Sequence, residues 1–495
     1  MTEASARAVV EEFCHFMKRD PCNSGARMML AASPDLQQLA DACHTVAEMV
    51  ILLLFIVLAS SAAIYLYSCQ FMGTRAKPRL PPGPRGRPFI GKIIQLSQQY
   101  GGIYSLQMAR QRYVVLADAL IADDLLVTRA ATTSSRESSY IASKTLWNGM
   151  GVIASPQNEI WQKHRQIIQQ ALRSQGVDNA ADVIQKPLVR LCEKLALRAV
   201  DEEELQLIFA EYSLENFLSM LLGQNHDMLP ESLLRQLLSM MDEMLKLMIP
   251  LANKEDFFAP LQRLSTSSYC QARQSRSRLL VIMNSLLEFI EPQSSSSTNC
   301  FGRTLLQKEE QGEIDNFEKC SLAMVWIIAA HASFPGFFVS FVSSISSRLE
   351  VQQCARQELA TNIETHGLRH SDQQKLPYCR AVLLEAMRCN RASINSPHLV
   401  TEDMILGRHV IPAGTALVLD TWTINHDEAS FQDPMLFEPR RHIRGELPTP
   451  RGVAAANFWI FGTGRRICPA HCPSWASRGR RARAIMTTLK KVIGA

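Results

Sequence analysis

Near the end of the chain, Phe461-Gly462-Thr463-Gly464-Arg465-Arg466-Ile467-Cys468-Pro469-Ala470 sets one cysteine on a short, glycine-containing, cationic turn. Gly464 permits a backbone conformation that a Cβ would resist, and Phe461 can pack over the turn. Arg466 can pair with an anion while its charge helps keep Cys468 deprotonated. A thiolate held this way suits the axial position of a haem iron, where its electron density favours cleavage of the O–O bond. The competing reading is an ordinary buried cysteine, a common resident of protein cores.

Stretches upstream fit the same chemistry. Trp161 and Arg165 stand four apart in a helical pattern and therefore share a face. An indole N–H and a guanidinium are good donors to a carboxylate. Glu385 and Arg388 stand three apart in a second helix, a pair that contributes little on a surface. Residues 396–403 and 410–415 read as strands with a Pro-x-Gly turn, followed by Trp422-x-x-x-His426.

In this order the motifs resemble those of the cytochrome P450 family, in particular its microsomal, fungal-type members. The family signature is Phe-x-x-Gly-x-Arg-x-Cys-x-Gly, and Ala470 stands where glycine is usual. The resemblance implies that Cys468 is the iron ligand of haem b, with Trp161, Arg165, Arg466 and His398 in contact with the cofactor. It also implies that Glu385 and Arg388 lock with Arg441 onto the loop 437–442, where His442 replaces the usual phenylalanine.

The long apolar helix pattern over 316–347 resembles the family's oxygen-binding helix. Ala330 fills the small position, Ala332 replaces the usual acid and Ser333 the usual threonine. Ser333 and His331 are then the candidate catalytic residues for proton delivery, although a histidine at such a place is commonly held in the packing. Pro335 should kink the helix, because it cannot donate to the carbonyl of His331.

The 495 residues are 47% hydrophobic, ample for a core, and the net charge of +5 is too small to imply nucleic acid. Thirteen cysteines without a repeated spacing do not form a zinc pattern and read as reduced thiols facing the cytosol. Residues 49–67 run almost continuously apolar, and no charge appears before Arg75, which is long enough for a bilayer. A buried core helix is the alternative. Six Lys/Arg without an acid follow between 75 and 92, against four basic and seven acidic residues in the first 48, so the bulk of the chain is expected on the cytosolic side.

The expected architecture is mainly α with small β-sheets, a cytochrome P450 fold preceded by a single transmembrane helix. Its parts are an extension over 1–48, the transmembrane helix 49–71, a basic proline-rich hinge 72–93 and a catalytic domain 94–495. A hairpin is expected over 103–116, and the helix that the resemblance places before it has little room between Gly91 and Tyr100. Amphipathic helices over 231–249 and 269–290, with the loop 257–261, would form a lid over the substrate channel. The serine-rich run 293–298 reads as a loop. Beyond Cys468 the 27 remaining residues are basic, without an acid, and lack the family's closing helix and hairpin.

The resemblance implies a monooxygenase of the endoplasmic reticulum membrane that inserts one atom of dioxygen into an apolar small molecule. Electrons would come from NADPH through the flavoprotein NADPH-cytochrome P450 reductase, docking near Arg465. Two rivals stand beside it: a haem-thiolate isomerase or dehydratase without oxygen activation, and a degenerate member that has lost catalysis.

Overall fold

The computed structural model describes residues 80–82, 93–108, 111–136, 139–172, 185–196, 200–223, 226–249, 252–256, 259–290, 300–362, 375–390, 397–443 and 459–469. The expected extension, transmembrane helix, hinge beyond Pro82, serine-rich run and basic tail lie outside the described residues. The chain divides into two compact units, Met1–Lys77 and Pro78–Ala495, and every described residue belongs to the second.

Helix α1 (Ile93–Tyr100) uses the little room available to it, in eight residues, and Gly101 at φ +85° turns the chain into the first strand. Strands β1 (Ile103–Met108) and β2 (Gln111–Leu116) form the expected hairpin, with Ile103 opposite Leu116. Ser105 ties the described end of the hinge to this hairpin, its amide donating to the Pro82 carbonyl at 2.8 Å and its hydroxyl to Pro81 at 2.7 Å. Late in the chain come β3 (His398–Leu399), the small hairpin of β4 (Met404–Leu406) and β5 (His409–Ile411), and β6 (Ala416–Leu419). β6 pairs parallel with β2, giving a sheet of order β1-β2-β6-β3. The inner strands are buried on both faces, which explains why Tyr113–Leu116 and β6 read as apolar runs rather than alternating ones.

Between the two halves of the sheet lies the helical bulk: α2 (Glu159–Ala171), α3 (Gln185–Ala196), α4 (Glu202–Leu222), α5 (Glu231–Met248), α6 (Ser267–Leu287), α7 (Phe301–Glu310), α8 (Asn316–Ser346), α9 (Leu349–Asn362) and α10 (Pro377–Arg388). Local chemistry sets their ends. Asp201 caps α4 by accepting from the Glu204 amide, and Gly223 at φ +75° ends it. Asp315 and Glu318 form a reciprocal capping box at the start of α8. Pro377 opens α10, where its missing amide costs nothing.

Helix α8 is the axis of the fold. It is long and apolar enough to cross a membrane, but most of its surface is buried inside the body. Cys320 to Ile328 belong to one apolar cluster with α2, α5 and α6; Phe338 to Ile345 belong to another with α3, α4, α9 and α10. The helix runs unbroken through Pro335, so the expected kink does not interrupt it. One lost bond is offset by intact neighbours and by packing on both sides of the proline.

Candidate active site

The cysteine turn is held by backbone geometry. Gly462 and Gly464 take φ of +71° and +63°, and a Cβ on Gly464 would sit 1.9 Å from the Leu126 carbonyl oxygen. Only glycine fits there. The Cys468 amide donates to the Phe461 carbonyl at 2.7 Å, closing the turn and leaving the cysteine partly exposed.

Around the turn, positive charge is gathered in a buried place. The Arg466 guanidinium donates to the carbonyls of Ser134 at 2.7 Å, Ser155 at 2.8 Å and Val152 at 3.3 Å. It also lies 4.1 Å over the Trp161 ring. Arg165 extends from α2 over the same ring at 5.6 Å and donates to the Ile467 carbonyl, next to the cysteine. Arg165, not Arg466, is therefore the guanidinium that touches the cysteine segment. The Trp161 indole N–H goes to the Val152 carbonyl at 3.1 Å, so its meeting with the two cations is through the ring. Helix α2 is pinned against α8 by buried His164, whose Nε2 meets Glu318 at 2.9 Å.

A third guanidinium, Arg136, belongs to this group and donates to the Pro397 carbonyl at 2.8 Å. Burial and the charge of Arg165 push Arg136 down to about 10; burial, then Arg136 and Arg165, push Arg466 down to about 9. Burial also lowers Arg165, while the charge of Cys468 works in the opposite sense. Arginine does not give up its proton near neutrality, so the three positive charges stand together in a buried place. Buried His398 donates Nδ1–H to the Thr133 carbonyl at 3.0 Å, and burial with the Arg136 charge drives it down to about 3. Its Nε2 is then an acceptor in the neutral imidazole. No local pattern sets Arg136 apart from other arginines, so only the fold reveals it.

Helix α8 has a gap in its buried surface. Ala329, Ala332 and Ser333 are exposed on this otherwise buried helix, with the partly exposed Gly336 beside them at the same face spacing. A Cβ on Gly336 would meet nothing within 4 Å. A face of small residues on α8 and a cationic cluster beside a cysteine are each of the kind that a flat dianionic cofactor such as haem requires. The Ser333 hydroxyl donates to the Ala329 carbonyl at 2.8 Å, turning its lone pairs to the open side. His331 is half a helical turn away, hydrogen-bonded to the Ala210 backbone of α4 and lowered by burial. The fold does not bring the two candidate proton carriers together.

Glu385, fully buried, accepts five hydrogen bonds: two from Arg388 at 2.7 and 2.9 Å, and one each from Arg441 at 3.1 Å, His442 at 2.9 Å and the Glu438 amide at 2.9 Å. Burial alone would raise its carboxyl, but the bonds from Arg388 and His442 and the Arg388 charge bring it down to about 2. Arg388 further donates to the carbonyls of Asn425 and Pro434, at 2.9 and 2.8 Å. The pair is thus the buried lock, with Arg441 as its third member, and His442 is a fourth partner that its sequence position did not announce.

Comparison with known proteins agrees with this geometry. The family model "Cytochrome P450" matches residues 81–469. The chain is similar to the cytochrome P450 monooxygenase macC of Penicillium terrestre, 24% identical with 84% of this chain and 83% of the relative covered. It is also similar to cytochrome P450 81E8 of Medicago truncatula, at 25% identity with 83% and 85% covered. A zebrafish cytochrome P450 solved with progesterone superposes with a TM-score of 0.65 at 18% identity, covering 82% of this chain and 91% of that one. With a family match over most of its length and the fold to go with it, the chain belongs to the cytochrome P450 family, and is a monooxygenase whose cofactor is haem b.

Proposed function

We propose that Cys468 ligates the haem iron and that the protein inserts one oxygen atom into an apolar small molecule, using electrons from NADPH through a flavoprotein reductase. The observation that carries this reading is the convergence of Arg136, Arg165 and Arg466 beside the cysteine turn, a buried cationic group suited to a dianion. When bound, the haem supplies the activation of dioxygen. The chain's own residues do the rest. Arg165 and Arg136 take the cofactor's carboxylates with His398 beside them, Arg466 supports them from the turn, and Trp161 backs the guanidiniums with its ring face. Ala329, Ala330 and Gly336 keep α8 clear of a flat ring, and Ser333 holds a hydrogen-bonding group at the open face. Arg465, exposed beside the turn, faces the side that an acidic reductase surface would approach. The apolar run 49–67 and its basic flank favour a single-pass anchor in the endoplasmic reticulum membrane, with this body cytosolic.

The isomerase or dehydratase reading draws support from one feature: Ala332 carries no proton and the Ser333 proton is donated to Ala329. NADPH-driven product formation separates the two. For ligation, the reduced, carbon-monoxide-bound spectrum is decisive. Cys468→Ser is expected to abolish the thiolate Soret band while Cys472→Ser leaves it intact, and the reverse result overturns the assignment.

A further inference from the structure

One buried histidine faces acceptors at both of its ring nitrogens. His164 is fully buried on α2, on the face it shares with Trp161 and next to Arg165. Its Nδ1 lies 3.1 Å from the Met150 carbonyl oxygen and its Nε2 lies 2.9 Å from Glu318 Oε1. A carbonyl can only accept, and so can an ionised carboxylate. Burial alone would raise the Glu318 carboxyl, but hydrogen bonds from Lys163, the Asp315 amide and His164 hold it below the usual range, so it is ionised. Both of its oxygens are engaged as acceptors, Oε1 by Lys163 and His164 and Oε2 by the Asp315 amide at 2.9 Å. A neutral imidazole has a single N–H, and would set two acceptors face to face in a fully buried place.

The two bonds of His164 join three segments. Met150 lies just before Val152, whose carbonyl takes the Trp161 indole N–H at 3.1 Å and an Arg466 N–H at 3.3 Å. Helix α2 therefore grips this segment at two points, through His164 and through Trp161, while Arg466 grips it from the cysteine turn. At the other nitrogen, Glu318 is the capping-box glutamate of α8, so the same ring fastens α2 to the start of that helix. Arg165, the residue after His164, donates to the Ile467 carbonyl beside Cys468. A slip of α2 on this anchor would carry Trp161 and Arg165 together away from the turn.

We propose that His164 is a positioning residue that works as a buried imidazolium: carrying both ring protons, it bridges Met150 and Glu318 and holds Trp161 and Arg165 against the cysteine turn. The consequence for cofactor retention rests on the haem-thiolate reading, whereas the charge of the ring rests on its hydrogen bonds alone. Glu318 is what keeps the second proton in place. In Glu318→Gln the new amide donates to Nε2, and the ring becomes a neutral imidazole with its one N–H on Met150. In His164→Gln a donor remains for one end of the bridge only.

The test is nitrogen NMR of the full-length holoprotein with isotope-labelled histidine, in neutral buffer and in the diamagnetic reduced, carbon-monoxide-bound form. The His164 signals are those that His164→Gln removes; if that variant does not fold, they are those that change in Glu318→Gln. Both ring nitrogens are expected to resonate as protonated nitrogens in the wild type, and one of them as unprotonated in Glu318→Gln. An unprotonated nitrogen on this ring in the wild type overturns the proposal, as does a ring that keeps both protons in Glu318→Gln. Transfer of haem to excess apomyoglobin measures the positioning role. Each folded variant is expected to lose haem at least about tenfold faster, the scale found for residues that orient the groups around a metal site. Unchanged transfer in either folded variant overturns that role, even where the melting temperature falls. The Soret position of the same samples reports separately on thiolate ligation, and its failure leaves the ring result standing.

Discussion

Replacing Glu385 by Gln should destabilise the body strongly, and the size of the effect follows from its five hydrogen bonds. Its carboxyl is held at about 2 against an ordinary value of 4.5. A difference of that size is worth about 3 kcal/mol of folding stability, at about 1.4 kcal/mol per unit. Gln keeps one acceptor and turns the other into a donor facing a donor, leaving the Arg388 charge buried with its partner gone. Breaking a buried pair from one side typically costs about 3–5 kcal/mol, so two routes agree on the scale. The unit Pro78–Ala495 unfolds with an entropy near 0.9 kcal/mol/K by the usual per-residue scaling, so the melting temperature should fall by about 3–6 °C.

The pH dependence has a definite sign. A depressed carboxyl contributes its stability above the unfolded value of 4.5 and loses it as pH falls toward the folded value of about 2. The gap between wild type and Glu385→Gln should therefore be constant from pH 7 to about 5.5 and shrink by about 1.4 kcal/mol at pH 3.5. Differential scanning calorimetry of the two proteins across that range is the assay. A melting difference under about 1 °C, or a gap that does not close on acidification, would refute the reasoning.

Two glycines divide by the space around them. Gly464→Ala places a Cβ 1.9 Å from the Leu126 carbonyl oxygen at a positive φ, and should abolish haem incorporation as read by the Soret absorbance of purified protein. Gly336→Ala meets nothing within 4 Å and should leave the melting temperature unchanged while altering probe binding at the open face. On α8, the Ala332→Asp, Ser333→Thr double variant should raise product formed per NADPH and lower peroxide release. Tight coupling already present in the wild type would show that another group or water supplies the protons.

The family was legible in short motifs, because iron chemistry demands particular residue types at spacings that a turn or one helical face enforces. Phe461 to Ala470 announced the cysteine turn, Trp161 and Arg165 announced a shared face, and Glu385 with Arg388 announced a pair. The helix boundaries were legible for the same local reason, since Asp315, Asp201 and Gly223 act on their own neighbours. Relations between distant segments were not. Trp161 reads as a hydrogen-bond donor until Val152 is seen to take its N–H. His331 reads as a companion of Ser333 until helical geometry turns it toward α4. Arg136 and His442 are distinguished only by burial beside groups distant in the chain, Pro397 and Glu385. Local sequence determines which conformations and ligand chemistry a segment can support; only the packed chain determines which charges share a low-dielectric space.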